Sequence, residues 1–235
     1  MTMNTNFGLG GTIQPASAFK DRSESFTIDN FQIQITGALL EIGFENDDES
    51  ENARLVVDQL LGGLSMDNNL RFTIDLNQAW KTEPEGGRAL SITISETVNV
   101  SDRIVTTTTI IKKGLSYIVS KFDSYDLKNQ VELVSKCQKD PTLALAVKYF
   151  SEEVIDQERP MYGIYKAIES LAGKVGGREK LGILAGRNKK YVDEVMETAN
   201  TFRHTAGGHS RQLLTDNECH DRAKLLIDAY AKSII

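Results

Sequence analysis

Histidine and cysteine are scarce in this chain of 235 residues, which contains three histidines and two cysteines. Two cysteines, Cys137 and Cys219, are too few for a disulfide framework, so a reducing cytosol is the simplest expected location. The polar, glycine-rich start lacks the apolar core of a secretory signal, and no apolar run approaches the length of a membrane helix. We therefore expect a cytoplasmic protein without a membrane partner.

Several common catalytic motifs are missing as well. The sequence contains no Walker A loop, no G-x-S-x-G nucleophile motif and no C-x-x-C pair. The glycine-rich run Gly8–Gly11 lies too near the start, with no strand predicted before it, to be read as a phosphate-binding loop. What is present is an ordinary globular composition, 40% hydrophobic and 26% charged, long enough for one large domain or two small ones.

The first part of the chain, residues 1–125, reads as β-rich with one helix. Phe31–Ile35 alternates apolar and polar residues, as a half-buried strand does. The acidic run from Asp47 suits the start of a helix, which we expect to end at Gly62-Gly63. We predict a small sheet with this helix packed on one face, its strands lying within Phe26–Phe44, Leu70–Leu76, Ala89–Val100 and Ile104–Ile111.

The second part, residues 126–235, reads as helical. Asp140-Pro141 has the pattern of an N-cap followed by proline at the first helical position, and Thr215–Glu218 is a capping box. We predict an antiparallel bundle of four to five helices, and therefore an α+β chain with a β-rich domain before a helical one. The expected helices follow Asp140, start near Pro160, span Arg178–Leu184 and Asn188–Arg203, and follow Thr215.

Charge is distributed unevenly between the two parts. Residues 1–125 hold 10 basic against 17 acidic side chains, whereas residues 126–235 hold 17 against 16. Lys174–Lys190 is locally basic, and Lys189 and Lys190 are candidates for a nucleic-acid-binding surface. The alternative is an ordinary solvated face, and the net charge of −6 argues against strong nonspecific DNA binding.

All three histidines lie near the end of the chain, at His204, His209 and His220. Imidazole is the side chain best suited to carry a proton near neutral pH, and Arg203 offers a fork of donors suited to phosphate oxygens. Arginine plus histidine is sufficient for attack of a ribose 2′-hydroxyl on the adjacent phosphate without a metal. Arg203, His204 and His209 are therefore the candidate catalytic residues.

Two other interpretations of this segment stay open. Cations at a helix C-terminus are favourable on dipole grounds alone, so Arg203 and His204 could simply cap the last carbonyls. A zinc site would draw on His204, His209, Cys219 and His220, but this spacing fits no familiar zinc pattern. Cys219 and His220 are adjacent on the predicted helix, so their side chains should diverge by about 100°.

The second part of the chain resembles a HEPN domain, a helical-bundle family common in bacterial defence and toxin systems. The family signature is R-x(4–6)-H, often with a polar residue directly after the arginine. Here five residues separate Arg203 from His209, and His204 follows the arginine. The segment from Met161 through Glu169, the later Glu179-Lys-Leu-Gly and Ala199-Asn200 before the arginine are similar to the family's order, over roughly residues 126–235.

The resemblance implies a metal-independent endoribonuclease that needs no cofactor and forms its site at a homodimer or higher homo-oligomer interface. Carried over by motif position, Arg203 would bind the phosphate, His209 would be the general acid and base, and His204 would orient the site. Glu169 falls where some members carry an acidic residue and is expected on the RNA-binding side. The Gly207-Gly208 pair departs from the pattern, and many members are not nucleases but binding or scaffold proteins.

The β-rich part, residues 1–125, resembles no family by its residues. Abortive-infection proteins similar to HEPN proteins can carry such a region first, so we expect a sensor or regulatory domain that responds to a protein or a small-molecule trigger. Its acidic charge would repel RNA, so the substrate is not expected there.

Overall fold

The computed structural model describes residues 5–19, 22–68, 71–82, 88–92, 124–153, 161–201 and 213–235. The chain is α+β, as predicted, with an antiparallel sheet in its first part and helices dominating its second. It divides into two compact units. Unit 1 comprises Met1–Asp58 and Phe72–Val131, and unit 2 comprises Gln59–Arg71 and Glu132–Ile235. Gln59–Arg71, placed by sequence in the β-rich part, thus groups with the helical residues.

Unit 1 contains a six-stranded sheet in the order β2-β3-β4-β1-β5-β6, with every described pair antiparallel. The alternation predicted for Phe31–Ile35 is confirmed, since its aromatic and isoleucine side chains are buried and its glutamines face outward. Ile33 pairs with Ile42 and Ile35 with Leu40, so apolar side chains meet across the strands. The strands are β1 (Phe7–Gln14), β2 (Ser23–Ile28), β3 (Phe31–Thr36), β4 (Leu39–Phe44), β5 (Thr73–Thr82) and β6 (Arg88–Ile92).

The glycine-rich start of the chain forms a central strand, β1, which the sequence analysis did not predict. Gly8 lies opposite Gly43 on one side and Trp80 on the other, and a side chain at Gly8 would overlap the Trp80 indole. A Cβ at Gly11 would likewise overlap the Asp75 carbonyl, where the register with β5 shifts. Glycine is therefore required by contacts that form some 70 residues away in sequence.

The predicted strand Ile104–Ile111 and most of Ala89–Val100 lie outside the described residues, as does the start of Leu70–Leu76. Within the described part, β5 begins at Thr73 and continues to Thr82, and β6 covers Arg88–Ile92.

Helix α1 spans Ser50–Asn68, so the predicted stop at Gly62-Gly63 is wrong. Both glycines are buried within the helix, and a Cβ at Gly62 would lie 3.1 Å from Val147 Cγ1 in unit 2. At Gly62 a small residue therefore allows the close approach of Val147. The end of α1 is also fixed by charge, because Lys224 Nζ lies 3.1 Å from an Asp67 carboxylate oxygen.

Unit 2 is built from helices whose caps the sequence predicts well. Asp140 accepts hydrogen bonds from the Thr142 and Leu143 amides, and Thr215 and Glu218 form the expected capping box. Gly176 ends a helix with a φ of +83°, a conformation that favours glycine. The helices are α2 (Ser124–Lys139), α3 (Pro141–Glu153), α4 (Tyr162–Val175), α5 (Arg178–Leu184), α6 (Lys189–Thr201) and α7 (Asp216–Ser233).

The core of unit 2 gathers around α4, whose fully buried Ile164, Ile168 and Leu171 contact the neighbouring helices. A hydrogen bond joins α7 to the start of α3, where the Tyr230 hydroxyl donates to the Asp140 carboxylate at 2.7 Å. Burial opposes ionisation of Asp140, but the hydrogen bonds from Tyr230 and the two amides outweigh it and lower the pKa of the carboxyl. Among the described helices, none combines the length and the apolar character that crossing a bilayer requires.

We predict that Gly8→Ala strongly destabilises unit 1, because the new methyl group overlaps the Trp80 indole in a packed region. The expected loss is about 1–3 kcal/mol in the free energy of unfolding, measured by urea denaturation. Gly10→Ala on the same strand is the matched control, since a Cβ there meets its nearest atom at an ordinary 3.4 Å. Equal stabilities of the two variants would contradict the role assigned to Gly8.

Candidate functional site

The three predicted catalytic residues Arg203, His204 and His209 lie outside the described residues. The structure does describe the chain on both sides of them, as α6 ends at Thr201 and the chain is described again from Leu213. The geometry of these flanks limits where a site built from the motif can lie.

Thr198 brings the two flanks together. Its side chain is fully buried, and its hydroxyl oxygen accepts hydrogen bonds from the backbone amides of Leu213 at 3.3 Å and Leu214 at 3.2 Å. The chain therefore returns to within one helical turn of the place where it leaves α6. Sequence reasoning missed this residue, although a hydroxyl three residues after the apolar Val195, on the same helix face, is the signal that could have found it.

Helices α6 and α7 run in opposite directions away from this closure. The Cys219 thiol lies 3.7 Å from the Val195 carbonyl oxygen, and Arg222 forms an ion pair with Glu194 at 2.6 Å. Later residues of α7 thus contact earlier residues of α6, as in an antiparallel pair of helices. The described residues on both sides of the motif segment thus belong to a packed pair of helices.

The predicted RNA-binding lysines lie at the other end of α6. Lys189 and Lys190 occupy its first turn, with side chains 63% and 80% exposed, and approach Asp193 at 3.7 Å and Glu194 at 3.8 Å. Lys190 and Thr201 are separated by about 17 Å along the helix axis, given a rise of roughly 1.5 Å per residue. The structure therefore does not bring these lysines together with the end of α6 that leads into the motif.

Glu169 lies exposed on α4, where it accepts a hydrogen bond from the Tyr165 hydroxyl of its own helix at 3.1 Å. The two residues are four positions apart on one helix, and such side-chain pairs are common on helix surfaces that bind no ligand. Nothing in the described contacts of Glu169 connects it with Thr198 or with the first turn of α6.

Cys219 and His220, two of the four residues in the zinc alternative, point to different helices. Cys219 is directed at α6, whereas the His220 ring packs on Phe150 of α3 at 4.6 Å between ring centroids. Within the described ranges no three histidine, cysteine or acidic side chains converge as metal ligands would. The other two candidates, His204 and His209, lie outside these ranges.

Neither cysteine is suited to act as a nucleophile. Burial, aided by the negative charge of Asp140, raises the pKa of the Cys137 thiol to about 12, so the reactive thiolate is not formed near neutral pH. Cys219 is fully buried in the core of unit 2.

His220 is a buried residue of unit 2. Its Nε2 is buried without a hydrogen-bond partner among the described residues. Burial lowers the pKa of the imidazole and outweighs the opposing effect of Asp221, whose carboxylate lies 3.8 Å from Nδ1, while Lys224 lowers it further. The described contacts of His220 are therefore those of a buried helix residue.

Comparison with known proteins gives no match, since no family model, no curated protein and no solved structure is significantly similar to this chain. The resemblance to HEPN domains accordingly rests on the residues of the chain itself.

We predict that Thr198→Val lowers the free energy of unfolding by about 1–3 kcal/mol, because the Leu214 amide loses its acceptor in a buried position. Valine preserves the shape of threonine, so the loss reports on the hydroxyl. Thr201→Val is the matched control, as its hydroxyl donates to the Glu197 carbonyl of the same helix, and a change within about 0.5 kcal/mol is expected. Equal losses in urea denaturation would argue against a special role for Thr198.

We also predict that His220 makes the protein less stable in mild acid. The unfolded chain binds a proton near pH 6.5, while the folded state keeps the ring neutral to lower pH, so the contribution of His220 is intact above about pH 6.5 and declines as the pH falls towards the folded-state pKa. The part of the slope of the free energy of unfolding against pH that is due to His220 should not exceed about 1.4 kcal/mol per pH unit. His220→Leu should unfold with a shallower pH dependence, and parallel curves for the two proteins would refute the prediction.

Proposed function

We propose that this chain is a metal-independent endoribonuclease of the HEPN type, acting in antiphage defence or in a stress or toxin response. The observation that carries the proposal is the pair Arg203 and His209, with five residues between them, in the segment whose two described flanks meet at Thr198 of α6. The described helices support the proposal because they follow one another along the chain as the helices of a HEPN domain do. We interpret their arrangement as an antiparallel bundle of the HEPN kind.

The proposed chemistry needs a proton acceptor, a proton donor and a cation. His209 takes the proton of a ribose 2′-hydroxyl as its oxygen attacks the adjacent phosphorus. The bond to the 5′-oxygen of the next nucleotide breaks, and this oxygen receives a proton from the protonated imidazole of the second protomer. Arg203 stabilises the charge on the phosphoryl oxygens, and His204 orients the pair. The products are a 2′,3′-cyclic phosphate and a 5′-hydroxyl.

The proposed active form is a homodimer or a higher homo-oligomer, since the mechanism uses Arg203 and His209 from two protomers. A nuclease of this kind must be restrained in the cell. We assign that role to the β-rich residues 1–125, which would respond to a regulatory protein or a small-molecule trigger. Their excess of acidic side chains supports this division, because it makes them a poor surface for RNA.

The alternative is a non-catalytic HEPN-like protein that binds a nucleotide or a protein partner. One observation favours it: the three residues predicted to bind RNA all have intramolecular partners. Lys189 and Lys190 face carboxylates one turn along their helix, and Glu169 accepts from a tyrosine. Such contacts are also what a solvated helix surface without a ligand would show.

Cleavage of a labelled RNA in EDTA distinguishes the two functions. The wild type should produce fragments with 2′,3′-cyclic phosphate ends, and Arg203→Ala and His209→Ala should each cut at least about 100-fold more slowly. Lys232→Gln on the exposed end of α7 is a control for loss of a positive charge and should cut at the wild-type rate. Cleavage by both variants at the wild-type rate would eliminate the nuclease hypothesis, and no cleavage by any protein would favour the binding function.

A further inference from the structure

A second candidate surface surrounds Tyr191 in the first turn of α6. The half-buried ring of Tyr191 has two guanidiniums over it, that of Arg187 with its carbon 5.3 Å from the ring centroid and that of Arg222 at 4.7 Å. Arg187 comes from the link between α5 and α6, and Arg222 from α7. Three separate parts of unit 2 thus place one aromatic ring and two planar cations together.

The positive charges around this ring are more exposed to solvent than the negative charges. Lys189 and Lys190 are 63% and 80% exposed, whereas the Asp193 and Glu194 side chains beneath them are 34% and 25% exposed. Of the two arginines over the ring, Arg222 is held by Glu194 at 2.6 Å, while Asp193 binds Arg178 at 3.0 Å. An approaching polyanion therefore meets the cations first, although the carboxylates reduce the net positive charge.

We propose that the Tyr191 surface, formed by Arg187, Lys189, Lys190, Tyr191 and Arg222, binds single-stranded RNA. Single strands are recognised by aromatic rings on which bases stack and by cations that follow the phosphates, and this surface supplies both. A base that stacks on the Tyr191 ring displaces the exposed Arg187, whose guanidinium can then turn to a phosphate. The identity of the ligand rests on the proposed function, but binding at this surface does not require that the chain cleaves RNA.

The position of the surface has a consequence for the RNA that it would hold. Tyr191 lies at the start of α6, about 15 Å along the helix axis from Thr201, the last residue of this helix, at a rise of roughly 1.5 Å per residue. An RNA in contact with both ends of α6 must therefore extend over several nucleotides. The Tyr191 surface would accordingly favour single strands of several nucleotides over single nucleotides.

Sequence reasoning found only part of this surface. Lys189 and Lys190 were recognised by their charge, and Arg187 by its place in the basic stretch Lys174–Lys190. Tyr191 reads in sequence as an apolar position on the core face of its helix. Arg222 lies 31 residues away from Tyr191, and only the packing of α7 on α6 brings it to the ring.

The test is the fluorescence anisotropy of a labelled 12-nucleotide 2′-O-methyl RNA, measured in EDTA at several salt concentrations. This RNA has no 2′-hydroxyl and cannot be cleaved by the proposed chemistry, so the assay reports binding alone. Tyr191→Leu should weaken binding about tenfold, while Tyr191→Phe, which keeps the ring, should stay within about twofold of the wild type. Arg187→Gln should weaken binding several-fold and make the slope of log Kd against log salt shallower by about 0.7.

Lys232→Gln is the matched control for charge, and it should bind as the wild type does. Thermal unfolding of each variant, followed by circular dichroism, separates lost binding from lost folding. The proposal is overturned if folded Tyr191→Leu and Arg187→Gln bind as the wild type, if Lys232→Gln loses as much affinity as Arg187→Gln, or if the wild type does not bind the RNA. Stronger binding to anionic lipid vesicles than to RNA would also overturn it. Because His209→Ala should bind this RNA normally, failure of the nuclease hypothesis and failure of the Tyr191 surface give different results.

Discussion

Unit 2 depends on the burial of one apolar face of α4. Its three large aliphatic side chains, Ile164, Ile168 and Leu171, are completely buried, and each contributes on the order of 1.5–3 kcal/mol relative to exposure. Small residues on the same face, such as Gly163 and Ala167, let neighbouring helices approach closely. Helices α3, α5, α6 and α7 all contact α4, so their positions are set by this one surface. The alignment of α6 with α7, and the return of the chain at Thr198, follow from it.

Local signals in the sequence predicted the ends of helices better than they predicted the sheet. The capping residues Asp140 and Thr215 act on amides two or three residues away, so their effect can be read from a short stretch of sequence. The requirement for glycine at Gly8 comes instead from Trp80, and the burial of Gly62 comes from Val147 on another helix. In both cases the glycine looks like a break in the pattern, because its packing partner is distant in sequence.

The candidate site shows the same division between local and distant information. The sequence left open a zinc site that would draw on His220, yet the described environment of His220 is an aromatic contact in a helical core. Conversely, Arg222 and Tyr191 are brought together by helix packing, and no spacing rule connects them. The types of residue in the sequence led to the hypothesis of phosphate chemistry. Which residues lie together could be learned only from the arrangement of α6 and α7.

The closure at Thr198 is formed by groups that lie outside residues 202–212. The acceptor belongs to α6, and the two amides belong to the backbone of Leu213 and Leu214, so no side chain between positions 202 and 212 takes part in these two bonds. The two bonds themselves therefore place no demand on which side chains stand at those positions. Point substitutions between positions 202 and 212 leave the acceptor and both donors of this closure in the chain.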